Sequence, residues 1–536
     1  MGPVLSTLNR VSGNFGELRS SHFHAGIDYK TDGTEGLPVF AAADGYVSRV
    51  KTSAVGYGKA IYITHPNAVV TVYGHLRSYL PALEDTIRKL QDSLEEYEQE
   101  IFPDSTMFIF RKGDIIGYSG NTGSSEGPHL HFETRHKDSE KPFNPELAGY
   151  IISDTIPPVI KAVAIYQPGF SNRLSGSSRS IIENDSLCNK DTLILPQKFF
   201  IGFEAFDKAD NDENLIGIRS FTLFLDDSLI LSVSIDSFAF EETRMINALI
   251  DYSYSKAEGR KFILCHALKG NTLSFLKNTN GIISLRDTSL YRLKLKVDDT
   301  SGNSAELIYF IRKGKTAYKT IKHKKEKLVE YGKELKINAG DYKIEFSPYS
   351  LYEDTWISSI LKHEKQPDLI SPVLIINPEA IAIHRAIDVS LKATQISPEK
   401  EPNIIAVQIN AKGKKSGIST TTSNGWTTFK TRNTGMYSLQ LDTVAPEASQ
   451  PEWECDDFTG FQRLIIPVPD DISGIRKVKC YINESWLPAP YSYLQNRITI
   501  FPEDLPANQE KLTLRIELTD NAANTSNTEY QVKYKR

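Results

Sequence analysis

Short runs in which apolar and polar residues alternate recur almost from end to end of this chain, and they constrain its fold more than any other feature. "VVTVYGHL" (69–76), "IRSFTLFLDD" (218–227), "YRLKLKVDD" (291–299) and "KLTLRIELTD" (511–520) all repeat with period two. That period sends successive side chains to opposite faces of a strand. Such runs, punctuated by Gly, Pro, Asn and Asp turns, predict a mainly β chain of antiparallel sheets and sandwiches. One stretch departs from the pattern. In 83–101, Leu83, Ile87, Leu90, Leu94, Tyr97 and Ile101 recur at spacings of four and three, with Glu84, Asp85, Asp92, Glu95, Glu96 and Glu98 between them. This predicts one amphipathic helix. It sits in an insertion, about 78–110, that is longer than a hairpin needs. The insertion reads as a wall of a substrate groove or as a surface decoration.

A chain of 536 residues corresponds to about three or four domains. A net charge of −5 gives no basic footprint for nucleic acid or anionic membrane. No apolar run approaches the ~18–20 residues that span a bilayer. The opening "MGPVLSTLNRVSG" has neither a basic n-region nor an apolar h-region, so a signal peptide is absent from this chain. Either the protein is cytosolic or a targeting segment has been removed. Cys188, Cys265, Cys455 and Cys480 form no Cys-x-x-Cys pair and stand away from the histidine motifs. A thiol metal site or cysteine nucleophile is not expected, and free buried thiols are expected over disulfides.

The first 150 residues hold seven of the eleven histidines. The prolines of "SDTIPPVIKAVAIY" then end regular structure and mark a stiff linker. Beyond it an echo appears. "DTIPP" (154–158), "IGI" (216–218) and "DDTSGN" (298–303) return as "DTVAP" (442–446), "SGI" (473–475) and "DNAAN" (520–524). Shared start, middle and end signals predict two related immunoglobulin-like sandwiches. The expected organisation is an N-terminal domain over 1–150, sandwiches over 151–318 and 442–536, and another β-sandwich domain over 319–441. "KGKTAYKTIKHKKEK" (313–327) reads as a solvated linker or strand edge. "FDKADNDEN" (206–214) lacks the glycine and closing glutamate of a calcium loop and reads as a solvated turn.

The chemistry lies in the first domain. In "HLHFET", His129 and His131 are two apart on a strand and so face one space. In "SSHFHAGID", His24 and Asp28 are four apart, with Gly26 between them allowing a tight bend. His75 ends the alternating "VYGHL". Imidazole nitrogen and carboxylate oxygen are both ligands for Zn²⁺. "SGNTGSSEGP" lacks the Gly-Lys-Ser/Thr ending of a phosphate loop and leads into a strand. It reads as a loop shaping a cleft, with Asn121 and Ser124 as candidate substrate contacts. His65 in "YITHPN" reads as a core-holding hydrogen-bond partner, and His136, His266, His323, His363 and His384 have no motif around them.

Together "HFHAGID", "GLPVFAAADGYV", "GYGKAIYITH", "TVYGHL" and "KGDIIGYSGNTGSSEGPHLHFE" resemble, in order and spacing over about residues 10–148, the lysostaphin-type (LytM-like) zinc metalloendopeptidases. Those enzymes cut peptide bonds in peptidoglycan. The resemblance implies one zinc per chain held by His24, Asp28 and His131, with His75 and His129 catalytic without binding the metal. His22 stands where the family often carries arginine, and is a candidate substrate contact or alternative ligand. The resemblance also implies peptidoglycan peptides as substrate and export to the periplasm or cell surface. The sandwiches would position the catalytic domain or bind other envelope proteins. Two other classes stay open at this stage: a non-catalytic regulator of other wall hydrolases, and an adhesion protein with a vestigial peptidase.

Overall fold

The computed structural model describes residues 2–6, 10–168, 178–184, 192–210, 212–277, 280–314, 326–363, 366–378, 380–394, 396–455, 462–469, 472–506 and 511–533. Alternation becomes sheet throughout. In the first domain the strands are β1 (Val11–Gly13), β2 (Ile27–Lys30), β3 (Pro38–Phe40), β4 (Gly45–Thr52), β5 (Lys59–Thr64) and β6 (Val69–Tyr79). After helix α1 (Pro81–Leu94) come β7 (Gln99–Ile101), β8 (Ile109–Phe110), β9 (Ile115–Ser119), β10 (His129–His136) and β11 (Pro142–Phe143). The sheet runs β1–β2–β10–β6–β5–β4–β7, with the remaining strands paired at its margins. Leu130 and Phe132 of β10 are fully buried with Val47, Ile61, Ile63 and Tyr73. Burying side chains of this size stabilises by about 1.5–3 kcal/mol each, and it fixes the register that turns the alternate, polar face of β10 to the other side.

The helix is shorter than its apolar spacing predicts. Glu95 takes a left-handed conformation (φ 49°) and its N–H donates to the Gln91 carbonyl, which closes α1 at Leu94. Tyr97 and Ile101 therefore lie outside it. Ile101 enters β7, paired with Val50 of β4. Two apolar periods, one helical and one of a strand, had run together across the turn.

Three pairs of sheets follow, over 159–313, 326–441 and 452–533. Each pair encloses one core fed from both sheets: Phe203 with Phe221, Val389 with Leu374, Ile498 with Leu514. The sequence echo is also a structural one. Asn303 Nδ2 donates to the Asp154 carbonyl (3.3 Å) and to Asp299 Oδ2 (2.8 Å). Asn524 Nδ2 donates in the same way to the Asp442 carbonyl (3.0 Å) and to Asp520 Oδ2 (2.8 Å).

The first domain does not pack alone. Phe15, Phe23 and Ala25 belong to the core of the first sandwich, and Phe15 stacks on Phe238 with ring centroids 5.2 Å apart. Asn14 exchanges two hydrogen bonds with the Gly217 backbone, at 2.7 and 2.8 Å. The segment leading to His24 is thus held from beyond the linker.

The acidic run is solvated only in part, at Glu213 and Asn214. Asp210 accepts from Thr155 N and Oγ1 (3.0 and 2.9 Å), Lys30 of β2 pairs with Asp212 and donates to Asn214 (2.8 Å), and Asp207 is buried. Its partners lie far away in sequence, which is why a local reading takes it for a loop. The basic run falls largely on 315–325, outside the described residues. Cys265 and Cys480 are free and buried, Cys455 is exposed, and Cys188 lies outside the described residues. Among the described residues no helix is long and apolar enough to cross a membrane.

Candidate active site

β10 is flanked by β2 and β6, and its register sets the site. His131 stands opposite Asp28 of β2 and opposite Gly74 of β6. Directly opposed residues on one sheet face bring their side chains together, so a pair separated by about a hundred residues needs no loop to assemble it. His131 Nδ1 lies 2.8 Å from Asp28 Oδ1. His24, just before β2, places Nε2 3.0 Å from Asp28 Oδ1 and 3.1 Å from His131 Nδ1. Gly26 is needed here for close approach and not for a bend: a Cβ on it would lie 2.2 Å from the Phe132 carbonyl oxygen. All three residues are buried.

The hydrogen bonds decide which atoms face inward. His24 Nδ1 donates to the Asn14 carbonyl at 2.8 Å, which leaves the Nε2 lone pair free. His131 Nε2 donates to Glu133 Oε1 at 2.8 Å, which leaves Nδ1. Asp28 Oδ2 accepts from Arg19 Nη2 at 2.8 Å, and Oδ1 turns to the two imidazoles. Two nitrogen lone pairs and a carboxylate oxygen so close need positive charge among them, either a proton or a cation. One ligand atom from each of His24, Asp28 and His131 lies within 4.8 Å of the others, a donor set suited to a tetrahedral cation with one position left open. In the metal-free chain burial disfavours a charged His131, but hydrogen bonds to Asp28 and Glu133 outweigh it and lift the imidazole to about 9. Burial works against the Asp28 anion too, and the surrounding histidines hold it well below the carboxylate range.

His75 and His129 stand beside this set. His75 sits in a β-bulge, where the pairing of β5 with β6 shifts between Lys59↔Leu76 and Ile61↔Tyr73. Its backbone is left-handed, φ 59°. A bulge re-aims a side chain, and such a conformation costs about 1–3 kcal/mol, which the surrounding structure must offset. His75 Nδ1 donates to the Thr122 carbonyl at 2.8 Å. Burial, with His129 and His131 close by, pushes this imidazole down to about 3, so it is neutral. His129 Nδ1 donates to the Gly127 carbonyl at 2.8 Å, and its Nε2 lies 3.5 Å from Asp28 Oδ1. The two rings are 4.7 Å apart. The glycine-rich loop therefore orients both histidines through its own carbonyls.

Residues 22–91 match the profile of Peptidase family M23. The chain carries an M23 peptidase domain. Residues 326–442, within the second pair of sheets, match the Zu5-like domain. The chain is 35% identical over 141 residues to the DD-carboxypeptidase/endopeptidase Mpg of Neisseria meningitidis, covering 25% of this chain and 26% of that protein. It is 34% identical over 110 residues to an uncharacterized metalloprotease of Haemophilus influenzae (20% and 18%). It is 32% identical over 130 residues to the peptidoglycan DD-endopeptidase ShyC of Vibrio cholerae (23% and 24%). The likeness thus spans about a quarter of these relatives or less.

Within the M23 domain a second layer escaped the sequence reading. Glu133, fully buried, accepts from His131 and from Arg135 Nε (2.6 Å). Burial raises its carboxyl, but the Arg135 guanidinium and His131 bring it down to about 2. Arg135 lies over the rings of Phe240 (4.6 Å) and Tyr62 (5.3 Å). His129, His131, Glu133 and Arg135 are alternate residues of one strand, so the period that pairs the histidines also pointed to Glu133.

The remaining candidates sort by position. A cleft of about 1040 Å³ is lined by His22, Ser124, His75 and His129 from the M23 domain. Phe240 and Thr243 of the first sandwich and Leu494 of the last pair of sheets also line it. His22 is exposed and outside the ligand group. Ser124 Oγ accepts from Gly56 N at 2.9 Å. Asn121 does not line the cleft, and its Oδ1 is buried. Nor does α1, which packs Leu83 and Ile87 on the core and pairs Arg88 with Asp504 and Glu95 with Lys479 (2.7 Å). The insertion is no groove wall: it packs on its leucine face and also meets the C-terminal sheets through Arg88 and Glu95. His65 holds Asp44 O and Thr71 Oγ1, both at 2.8 Å. His65→Ala is expected to lower stability by about 1–3 kcal/mol in denaturant melts and to leave the metal content of the purified protein unchanged.

Proposed function

We propose that this chain is a zinc-dependent endopeptidase that hydrolyses amide bonds in peptidoglycan peptide cross-links. The observation that carries the reading is the convergence of His24 Nε2, His131 Nδ1 and Asp28 Oδ1 beside two imidazoles anchored through Nδ1. The relatives named as DD-endopeptidases and as a metalloprotease support it. The inward lone pairs of His24 and His131 and the buried Asp28 carboxylate would hold the ion. Zinc bound there would lower the pKa of its water towards ~7 and polarise the scissile carbonyl.

The chain's own residues supply the rest. His75 and His129, each with Nδ1 tied to a backbone carbonyl, present Nε2 to the cleft they line. One takes the proton of the attacking water on its Nε2 lone pair, and the other, when it carries a proton on Nε2 as well as on Nδ1, donates that hydrogen to the oxyanion. An imidazole so placed also returns a proton to the leaving amine. Peptidoglycan lies outside the cytoplasmic membrane, so the reading places the protein in the periplasm or at the cell surface. The sandwiches, two of them immunoglobulin-like, would set the cleft against its substrate and meet other envelope proteins.

Mass spectrometry of purified peptidoglycan fragments tests the proposal. Zinc-loaded protein is expected to open peptide cross-links, leaving one new amine and one new carboxylate per cut. A chelator should stop the reaction and added zinc should restore it. Fragments identical with and without zinc would sink the reading in favour of a regulator or an adhesion protein.

A further inference from the structure

A second cluster of ligand-type side chains lies where the M23 domain meets the first sandwich. Asp154 comes from the linker, Asp207 from the end of the strand Lys198–Phe206, and Asp299 from the turn after Tyr291–Asp298. One carboxylate oxygen from each lies within 4.8 Å of the others. Asp207 is 2% exposed and Asp299 4% exposed. Two buried carboxylates and a half-buried one gathered at this range are costly unless something positive joins them.

The surroundings do not supply that charge. Asp299 is satisfied by backbone and amide donors, Gly302 N at 2.7 Å, Asn303 N at 2.9 Å and Asn303 Nδ2 at 2.8 Å. Asp154 Oδ1 accepts from Ile156 N at 2.9 Å. Asp207 Oδ1 is buried and has no hydrogen-bond partner among the described residues. The charged groups acting on Asp207 are Asp154, Asp299 and Glu146, all acidic. Burial and these neighbours push its carboxyl up to about 7, and they raise Asp154 as well. A buried carboxylate with one unpartnered oxygen, gathered with two further carboxylates and offering only oxygen ligands, is the environment of a hard cation. Softer metals prefer nitrogen or sulfur.

We propose that Asp154, Asp207 and Asp299 bind a calcium ion that pins the linker to the first sandwich. The ion joins residues about 50 and 150 positions apart in the chain, a closure that local sequence motifs do not signal. It would set the seat of the M23 domain on the sandwich whose core already holds Phe15 and Phe23. The donors differ wholly from the imidazole-rich set at the cleft, so the two sites separate by metal.

The test uses the full chain, stripped with chelator and reloaded with zinc, then titrated with CaCl₂ by calorimetry and by thermal unfolding. We expect uptake of one calcium with a dissociation constant in the range of roughly 10⁻⁴ M or tighter, and a rise in the unfolding midpoint. MgCl₂ is expected to produce a smaller rise, because its octahedral shell fits such a cluster poorly. Asp207→Asn and Asp299→Asn should weaken calcium binding at least tenfold and keep parental zinc content. Calcium-free Asp207→Asn should melt no lower than the calcium-free parent, since it removes one of three repelling charges, so a folding failure cannot imitate the result. No heat and no shift up to about 10 mM CaCl₂, or an Asp207→Asn variant that responds like the parent, would overturn the proposal and leave a cluster neutralised by protons.

Discussion

Replacing His129 by alanine is expected to leave zinc content at the parental level while lowering the rate of cross-link hydrolysis by ~10²–10⁴. His129 is not one of the three residues whose ligand atoms converge. Its Nδ1 proton is committed to the Gly127 carbonyl, and its Nε2 stands 3.5 Å from Asp28 Oδ1, at the edge of the cation site. On the proposed mechanism the substitution removes a proton carrier and no ligand. It creates little strain, since the position is part-exposed on a strand whose apolar face is untouched. His75→Ala should act on rate in the same direction, and it leaves the left-handed backbone strained, since alanine keeps the Cβ. Residues that act as a unit lose less together than the sum of their single losses, so the double variant should fall little below the worse single one. Metal analysis beside initial rates on purified peptidoglycan reads both quantities. Loss of zinc from His129→Ala would make His129 a ligand and undo the division of roles.

What the sequence displayed, and what it hid, follows from the range of the forces involved. Alternation is local, so the strands around His129 and His75 were legible residue by residue, and so was the common face of His129 and His131. The cross-strand meeting of His131 with Asp28 is not local. It entered through a resemblance between ordered motifs and not through spacing. The bulge at His75 leaves no mark in the alternation, because one extra residue in a strand looks like any other. The end of α1 was lost to an apolar pattern that carried on into a strand after Glu95 turned the chain. The run 206–214 misled most. Its acidic residues looked solvated because Thr155, Lys30, Asp154 and Asp299, which surround them, come from other parts of the chain.

Glu133 is the residue whose loss should be felt in two measurements at once. Its carboxylate is fully buried between the His131 imidazole and the Arg135 guanidinium. Removing one member of a buried ion pair leaves the other charge without solvent or partner, at a cost of about 3–5 kcal/mol. Arg135 is itself 4% exposed, and what remains around it is rings, the Tyr57 hydroxyl at 3.3 Å and the more distant carboxylate of the exposed Glu140 at 3.8 Å. Glu133→Ala is therefore expected to lower unfolding free energy by about that amount. It should also weaken zinc affinity ~10–100-fold, because His131 would lose the acceptor that fixes its Nε2 proton and its ring orientation. Glu133→Gln separates the two effects. Its amide oxygen can still accept from His131, so zinc affinity should fall less than in Glu133→Ala. Arg135 loses its buried counter-charge in both variants, so the stability loss should persist. Denaturant melts of the zinc-free chain and a competitive zinc titration measure the two effects independently. If Glu133→Gln lost affinity as far as Glu133→Ala, charge on the imidazole rather than its orientation would be the lever that Glu133 works.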